Sequence, residues 1–206
     1  MKIFFRATLL ATLLALSGLA QADWSTNLGL ASEYYYRGIF QERSSASAGI
    51  DYTASGFYVG TWAADVGDGI EVDGYFGYGA NVGDLNYSVG FTGYYYTGDF
   101  DDTYQEINLG AAFGLFSVDV AVGEYDNFDG PTLDYTFYSI TAEKNGFYGK
   151  LGGFSRDFDG EYFEAGYGTT VANVDVGLSL IFSNSDLVGE SDQAIVFTVG
   201  KSFDLQ

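Results

Sequence analysis

Carboxylates are the most abundant side chains in this sequence that could do chemistry. The 206 residues include 28 Asp and Glu but only 8 Lys and Arg, for a net charge of −20, and they contain neither His nor Cys. Without His, the chain lacks the usual general base and the nucleophiles that a His activates. Carboxylates are too numerous for any pair to stand out as catalytic, so we predict that the protein is not an enzyme. Basic residues are too few for a nucleic-acid surface.

Some of the charged residues alternate with apolar ones, and alternate residues of a strand point to opposite faces. In the segment SEYYYRGIFQ, Glu33 and Arg37 share one face. The charged residues that we predict to line the interior of a barrel are Glu33, Arg37, Asp51, Glu71, Asp73, Glu106, Asp119, Lys150 and Asp175. Acids outnumber bases in this set, so an open interior would favour cations. Arg37 either lines this interior or plugs it by pairing with neighbouring acids.

Acidic segments raise the question of calcium binding. They read TGDFDDTYQE, GEYDNFDG and SRDFDGEYFE. None has the spacing of a calcium loop, with its central Gly and distal Glu. We therefore predict no metal and no cofactor, and expect solvated loops or diffuse divalent bridging to anionic lipid headgroups.

The elements that must position these residues are predicted to be β-strands. The chain has 18 Tyr, 18 Phe and 29 Gly but one Pro, a composition that favours strands and tight turns over helices. One face is apolar and the other small or polar in residues 24–36, 70–82, 85–92, 107–113, 116–122, 174–182 and 195–199.

Two kinds of connection separate the predicted strands. Short turns are predicted at Ser55-Gly56, Gly83-Asp84, Gly114-Leu115, Asn145-Gly146 and Ala172-Asn173. Longer, mostly acidic loops are predicted at residues 39–45, 67–69, 98–103, 126–132, 157–160 and 185–192. Their alternation predicts an all-β fold, a 12-stranded antiparallel transmembrane β-barrel with short periplasmic turns and longer extracellular loops.

Strand length and aromatic residues favour a membrane location. Strands of about ten residues can cross a bilayer when tilted. We predict two interfacial girdles of aromatic residues. The girdle near the turns would contain Trp24, Tyr52, Phe57, Phe113, Phe116 and Phe147, and the girdle near the loops Tyr34, Tyr36, Tyr94, Tyr95, Tyr96 and Tyr125. The alternative is a soluble secreted β-protein, but its exposed face would normally carry more long charged side chains.

The N-terminus has the features of a secretory signal peptide. Lys2 and Arg6 precede an apolar run, and the segment LAQA ends at Ala22 with the small residues that signal peptidase prefers. We therefore divide the chain into a signal peptide, residues 1–22, and a barrel, residues 23–206. No later run of about 18 apolar residues predicts a transmembrane helix.

Several segments resemble the TorF family of Gram-negative outer-membrane porins. They are SEYYYRGIFQ, ASAGIDYTASGFYVGTWAADV, EVDGYFGY and the terminal VGKSFDL. Arg37, Gly38 and Gln41 match the R-G-x-x-Q pattern of that family, whereas Phe40 stands where the family has a small hydroxyl residue. The resemblance implies an outer-membrane barrel with porin-like transport and no catalytic residues.

We therefore expect a porin-like channel in the cell outer membrane that passes small hydrophilic solutes by passive diffusion and prefers cations. The alternative is a closed structural or adhesive barrel with acidic surface loops. The expected partners are outer-membrane lipids and lipopolysaccharide, the barrel-assembly machinery and the solutes, with no nucleic acid.

Overall fold

A computed structural model describes residues 22–205 as a closed β-barrel. The strands are β1 Asp23–Tyr36, β2 Ile39–Ala54, β3 Phe57–Asp65, β4 Ile70–Val82, β5 Leu85–Thr97, β6 Tyr104–Phe113, β7 Phe116–Tyr125, β8 Leu133–Lys144, β9 Phe147–Arg156, β10 Glu161–Val171, β11 Val174–Ser183 and β12 Asp192–Leu205. A short helix, α1 Ser185–Val188, lies between the last two strands.

Every strand pairs antiparallel with its neighbours in sequence, and β1 pairs with β12 to close the barrel. Where β1 pairs with β12 and β2 pairs with β3, closure leaves no sheet edge open, so the backbone groups of this part of the wall have hydrogen-bond partners. The predicted fold class, a 12-stranded antiparallel barrel, is confirmed.

The predicted alternation is visible in the wall. In β5, the apolar side chains of Leu85, Tyr87 and Val89 are exposed on the outer face, whereas Asn86 and Ser88 are half-buried. The same pattern exposes Ile107 and Leu109 on β6. The outer surface of the barrel is therefore apolar, and the polar residues of the wall point inward.

The predicted two-residue turns are all present between paired strands. Both residues have positive φ at Ser55-Gly56, Asn145-Gly146 and Ala172-Asn173. This backbone geometry matches the right-handed twist of the flanking strands.

The predicted loop at residues 39–45 is wrong. These residues belong to β2, and a turn at Arg37-Gly38 joins β2 directly to β1. Tyr34, Tyr35 and Tyr36 pair with Glu42, Phe40 and Ile39, with a shift in register between Tyr34 and Tyr35. The segment looks like a loop in the sequence because its strands leave the barrel wall, so its residues do not alternate between an apolar and a polar surface.

Within residues 22–205, no helix is both long and apolar enough to cross a membrane. The predicted signal peptide, residues 1–22, lies outside the described part of the chain apart from Ala22.

Candidate functional site

The end of the β1–β2 hairpin separates from the barrel wall. Pairing of β1 with β12 ends at Ala31 and Thr198, and pairing of β2 with β3 begins at Ser47 and Ala64. Residues 32–46, here called the hairpin tip, therefore form backbone pairs only within the β1–β2 hairpin and with neither flanking strand. A hairpin freed from its neighbours can bend away from the wall.

The tip bends into the barrel. The hydroxyl of Tyr34 donates to Glu71 on β4 at 2.7 Å, and the hydroxyls of Tyr36 and Tyr94 on β5 are 2.7 Å apart. At the turn, the carbonyl of Gly38 accepts a hydrogen bond from Ser183 on β11. Since β1 and β2 are neighbours of none of these strands, a tip that touches them has to cross the interior.

Arg37 is the central contact of the tip. Its Nη1 and Nη2 atoms donate to the two carboxylate oxygens of Glu106 on β6, at 2.8 and 2.6 Å. The guanidinium carbon lies 4.1 Å from the ring centre of Phe137 and 4.8 Å from that of Tyr36. A bidentate ion pair that also contacts aromatic rings is well oriented and shielded from water.

Glu106 is also held by other donors. Tyr94 and Tyr135 donate from their hydroxyls at 2.7 and 2.8 Å, and Asn108 donates from its amide at 2.6 Å. The residue is 1% exposed. Removal of either partner leaves a buried charge without its counterion, which lowers the stability of the folded protein. The ion pair therefore fixes the tip to the opposite wall.

A hydrophobic cluster supports the other side of the tip. Its buried residues include Phe137, Phe154 and Tyr162, and Ile39 of the tip packs against it. Leu187 of α1 packs against the same cluster. The hairpin tip and the last loop therefore pack against the same cluster inside the barrel.

The structure brings together some of the predicted interior residues and separates others. Arg37 pairs with Glu106 rather than with Glu33, whose backbone partner is Arg43 on β2. Glu71 is buried beneath the tip and accepts from Tyr34. Asp73, on the same strand, is 0% exposed and has no hydrogen-bond partner on either carboxylate oxygen.

The remaining predicted residues have other hydrogen-bond or strand partners, although Nζ of Lys150 also lies 6.0 Å from the centre of the Phe137 ring that Arg37 contacts. Asp51 accepts from Tyr75 at 2.5 Å, and Asp119 accepts from Ser139 at 3.4 Å. Lys150 lies opposite Glu164 on β10. Asp175 accepts from Thr170 next to the turn between β10 and β11.

The predicted girdle near the turns contains exposed aromatic residues, but the girdle near the loops is largely wrong. Trp24, Phe57 and Phe147 are exposed at the turn end. At the loop end, Tyr95 is exposed, whereas Tyr34, Tyr94 and Tyr125 are buried. Tyr34 turns inward because it belongs to the bent tip, and Tyr94 does so because β5 alternates strictly.

Other residues of the site were not predicted. Tyr135 and Phe137 lie on β8, where aromatic residues occur on both faces and the alternation is weak. Glu164 is buried on β10, and Tyr148 donates to it. Alternation with Phe163, which is exposed, could have placed Glu164 in the interior.

The acidic loops form local contacts. Asp101 accepts from the hydroxyls of Tyr104 and Tyr125, whose rings are stacked. In the part of the chain that the structure describes, no three acidic residues are grouped so that they could hold a metal ion.

Gly38 is expected to be sensitive to substitution. Its φ is +81°, and an added Cβ would lie 2.5 Å from Cγ of Tyr162. In Gly38→Ala, we expect amide hydrogen exchange of the tip to quicken by about tenfold or more, because overpacking costs about 1–3 kcal/mol. Gly114→Ala is the matched control, since Gly114 also has positive φ but has no atom within 4 Å of an added Cβ. Equal exchange in both variants would contradict the close packing of the turn.

Comparison with solved structures shows the barrel fold. A chain described under "Unveiling the Mechanism Behind the in-meso Crystallization of Membrane Proteins" matches with a TM-score of 0.60 and 9% identity, over 89% of this chain and 84% of that one. Pseudomonas aeruginosa OccK1 (OpdK) matches at a TM-score of 0.44 and 16% identity, over 80% of this chain and 58% of its own. A BenF-like porin from Pseudomonas fluorescens Pf-5 matches at 0.41 and 12%, over 85% and 58%.

Sequence comparison gives a family. No curated protein matches the chain. The resemblance to the TorF family is not confirmed by these comparisons and stays a prediction. A family described as a bacterial protein of unknown function, Gcw_chp, matches residues 17–179. This match covers most of the sequence, and the chain belongs to the Gcw_chp family.

Proposed function

We propose that this protein is a porin-like channel of the outer membrane that passes small hydrophilic solutes by diffusion and prefers cations. The observation that carries the proposal is the contrast between the two faces of the wall. The outer face exposes large apolar side chains, whereas the inner face holds buried and half-buried charges. Such a wall suits lipid outside and a polar path inside.

The cation preference is supported by the charges of the interior. Arg37 and Lys150 are the basic residues that face it in the described chain. The acids facing it include Asp51, Glu71, Asp73, Glu106, Asp119 and Glu164. An excess of carboxylates within low-dielectric walls concentrates cations and repels anions.

We propose that the hairpin tip, whose side chains reach across the interior, closes the loop end of the barrel and that conduction requires the tip to move. The tip is held by side-chain contacts rather than by sheet pairing with the wall. A segment held in this way can leave without breaking the barrel. The ion pair between Arg37 and Glu106 then holds the gate closed.

The proposed environment follows from the same surface. The apolar outer face would contact outer-membrane lipids and lipopolysaccharide, and insertion would need the barrel-assembly machinery. Export through a cleaved signal peptide remains part of this proposal.

Planar bilayers test the channel. We expect purified, folded protein to give discrete conductance steps, and a KCl gradient to give a reversal potential that favours K⁺ over Cl⁻ by about tenfold. A reversal potential of the opposite sign would contradict the cation preference alone.

A closed structural or adhesive barrel is the second candidate, because the tip packs across the interior. Folded protein that gives no conductance at any voltage would contradict the channel and favour this candidate. Heat-dependent migration on a gel and circular dichroism would establish that the preparation is folded.

A further inference from the structure

Asp73 differs from the other buried carboxylates beneath the tip. Glu71 has the Tyr34 hydroxyl as a donor, and Glu106 has Arg37 and several hydroxyl and amide donors. Asp73 is completely buried, and neither of its carboxylate oxygens has a hydrogen-bond partner. A buried carboxylate without a partner costs several kcal/mol. The described chain therefore supplies no hydrogen-bond donor to the Asp73 carboxyl group.

Aromatic side chains flank Asp73 on both sides. Its backbone partners are Trp62 on β3 and Tyr94 on β5, and directly paired residues project to the same face. The ring of Tyr34 lies 5.9 Å from that of Trp62, in an edge-on arrangement. Carboxylates together with aromatic ring faces are the groups that bind ammonium and guanidinium ions.

The chain contains an example of this recognition. The Arg37 guanidinium lies between the rings of Phe137 and Tyr36 and is held by the Glu106 carboxylate. Asp73 has the carboxylate and the rings but no cation. Its ionisable neighbours are Glu71, Glu106 and Arg37, so acidic groups outnumber basic ones around it.

We propose that Asp73, Trp62 and Tyr94 form a binding subsite for the ammonium or guanidinium group of a small organic cation. The subsite rests on the proposed channel function and gives it a class of solute. Because Tyr34 of the tip packs on Trp62, the tip covers the subsite in this conformation. A solute would reach Asp73 once the tip withdraws.

A multidentate metal fits this position less well. No group of three or more acidic side chains that could hold a metal ion is found within residues 22–205. An ammonium or guanidinium group can be bound by one carboxylate together with cation–π contacts from aromatic rings. The position therefore favours an organic cation.

Fluorescence of Trp62 provides a binding test. The chain has 2 Trp, so Trp24→Phe leaves Trp62 as the single reporter beside the subsite. We expect saturable changes with methylguanidinium and ethylammonium chloride, and none with N-methylurea. In Asp73→Asn, the apparent affinity should fall at least about tenfold, as expected for loss of a charge-assisted contact.

Glu164→Gln is the matched control. It removes another buried carboxylate, one that has the Tyr148 hydroxyl as a donor and Lys150 opposite. It should bind both cations as tightly as the parent. If the Trp62 fluorescence does not saturate with either cation, the subsite is overturned; a protonated Asp73 would give this result. Unchanged affinity in Asp73→Asn would also overturn the subsite.

Current block tests the subsite without a variant. In the unaltered protein, methylguanidinium should reduce the K⁺ current in a saturable manner, whereas N-methylurea should not. K⁺ current that methylguanidinium leaves unchanged would overturn the subsite and leave the channel intact. Saturable binding without any conductance would contradict the channel and leave the subsite intact.

Discussion

A cross-link between the positions of Tyr36 and Tyr94 is expected to abolish the conductance of this barrel, and cleavage of the cross-link to restore it. The two hydroxyls are 2.7 Å apart, with Tyr36 in the hairpin tip and Tyr94 on the wall. The chain has no Cys, so Tyr36→Cys and Tyr94→Cys would be the only thiols. A bis-thiosulfonate linker attaches through disulfides, and a reductant releases it.

The expected effect is large because the linker removes the only motion that conduction is proposed to need. Loss of the two tyrosines also removes the Tyr94 hydrogen bond to Glu106. Before linking, the double variant should therefore conduct at least as well as the parent. After linking, conductance steps should disappear, and reduction should bring them back in the same membrane.

Thr136→Cys with Ser155→Cys is the matched control. These residues are paired on β8 and β9, so linking them joins strands that are already hydrogen-bonded. The linker should not change conductance there. Full conductance of the linked Tyr36–Tyr94 variant would contradict a moving tip, since solutes would then pass the barrel with the tip in place.

The wall of the barrel could be predicted from the sequence because its signals are local. Alternation in β5 places Leu85 and Val89 outside, as the structure shows, whereas Tyr94, which we predicted in the girdle near the loops, follows the same alternation and lies inside. Short turns such as Asn145-Gly146 carry their own backbone preference. Neither kind of signal needs information from distant parts of the chain.

The site could be predicted only in part because its contacts are long-range. Arg37 and Glu106 are separated by 69 residues, and both were expected to face inward without being recognised as a pair. The register shift at Tyr34 and Tyr35 and the bend of the tip reverse the expected direction of Tyr34. Alternation predicts side-chain direction for a strand that stays in its sheet. The prediction fails where the β1–β2 hairpin separates from β12 and β3.

Removal of the hairpin tip is expected to produce a channel that stays open. Replacing residues 32–44 by Asn-Gly would close the pair Ala31–Ser45 with a two-residue turn, which the register of β1 and β2 permits. The change removes Tyr34, Tyr36 and Arg37 from the interior. It leaves the pairing of β1 with β12 and of β2 with β3 untouched.

A single charge-assisted pair is worth about 2 kcal/mol, which corresponds to about a 30-fold change in the ratio of open to closed states. We therefore expect the time-averaged current of the excised protein to rise by about 30-fold or more. Arg37→Met keeps the tip and removes the ion pair, so it should give a smaller rise. Both changes should shift the reversal potential further toward K⁺, because Glu71 and Glu106 remain while the guanidinium is lost.

Shortening the exposed loop at residues 126–132 is the control, because Phe128 there is exposed and its backbone contacts another loop residue, Asp102. That change should leave current and selectivity as they are. If the protein without the hairpin tip folds, as judged by heat-dependent migration, but gives no current, the tip is not what closes the barrel. A rise in current without a shift toward K⁺ would show that the tip is the gate but that the carboxylates beneath it do not set the preference for cations.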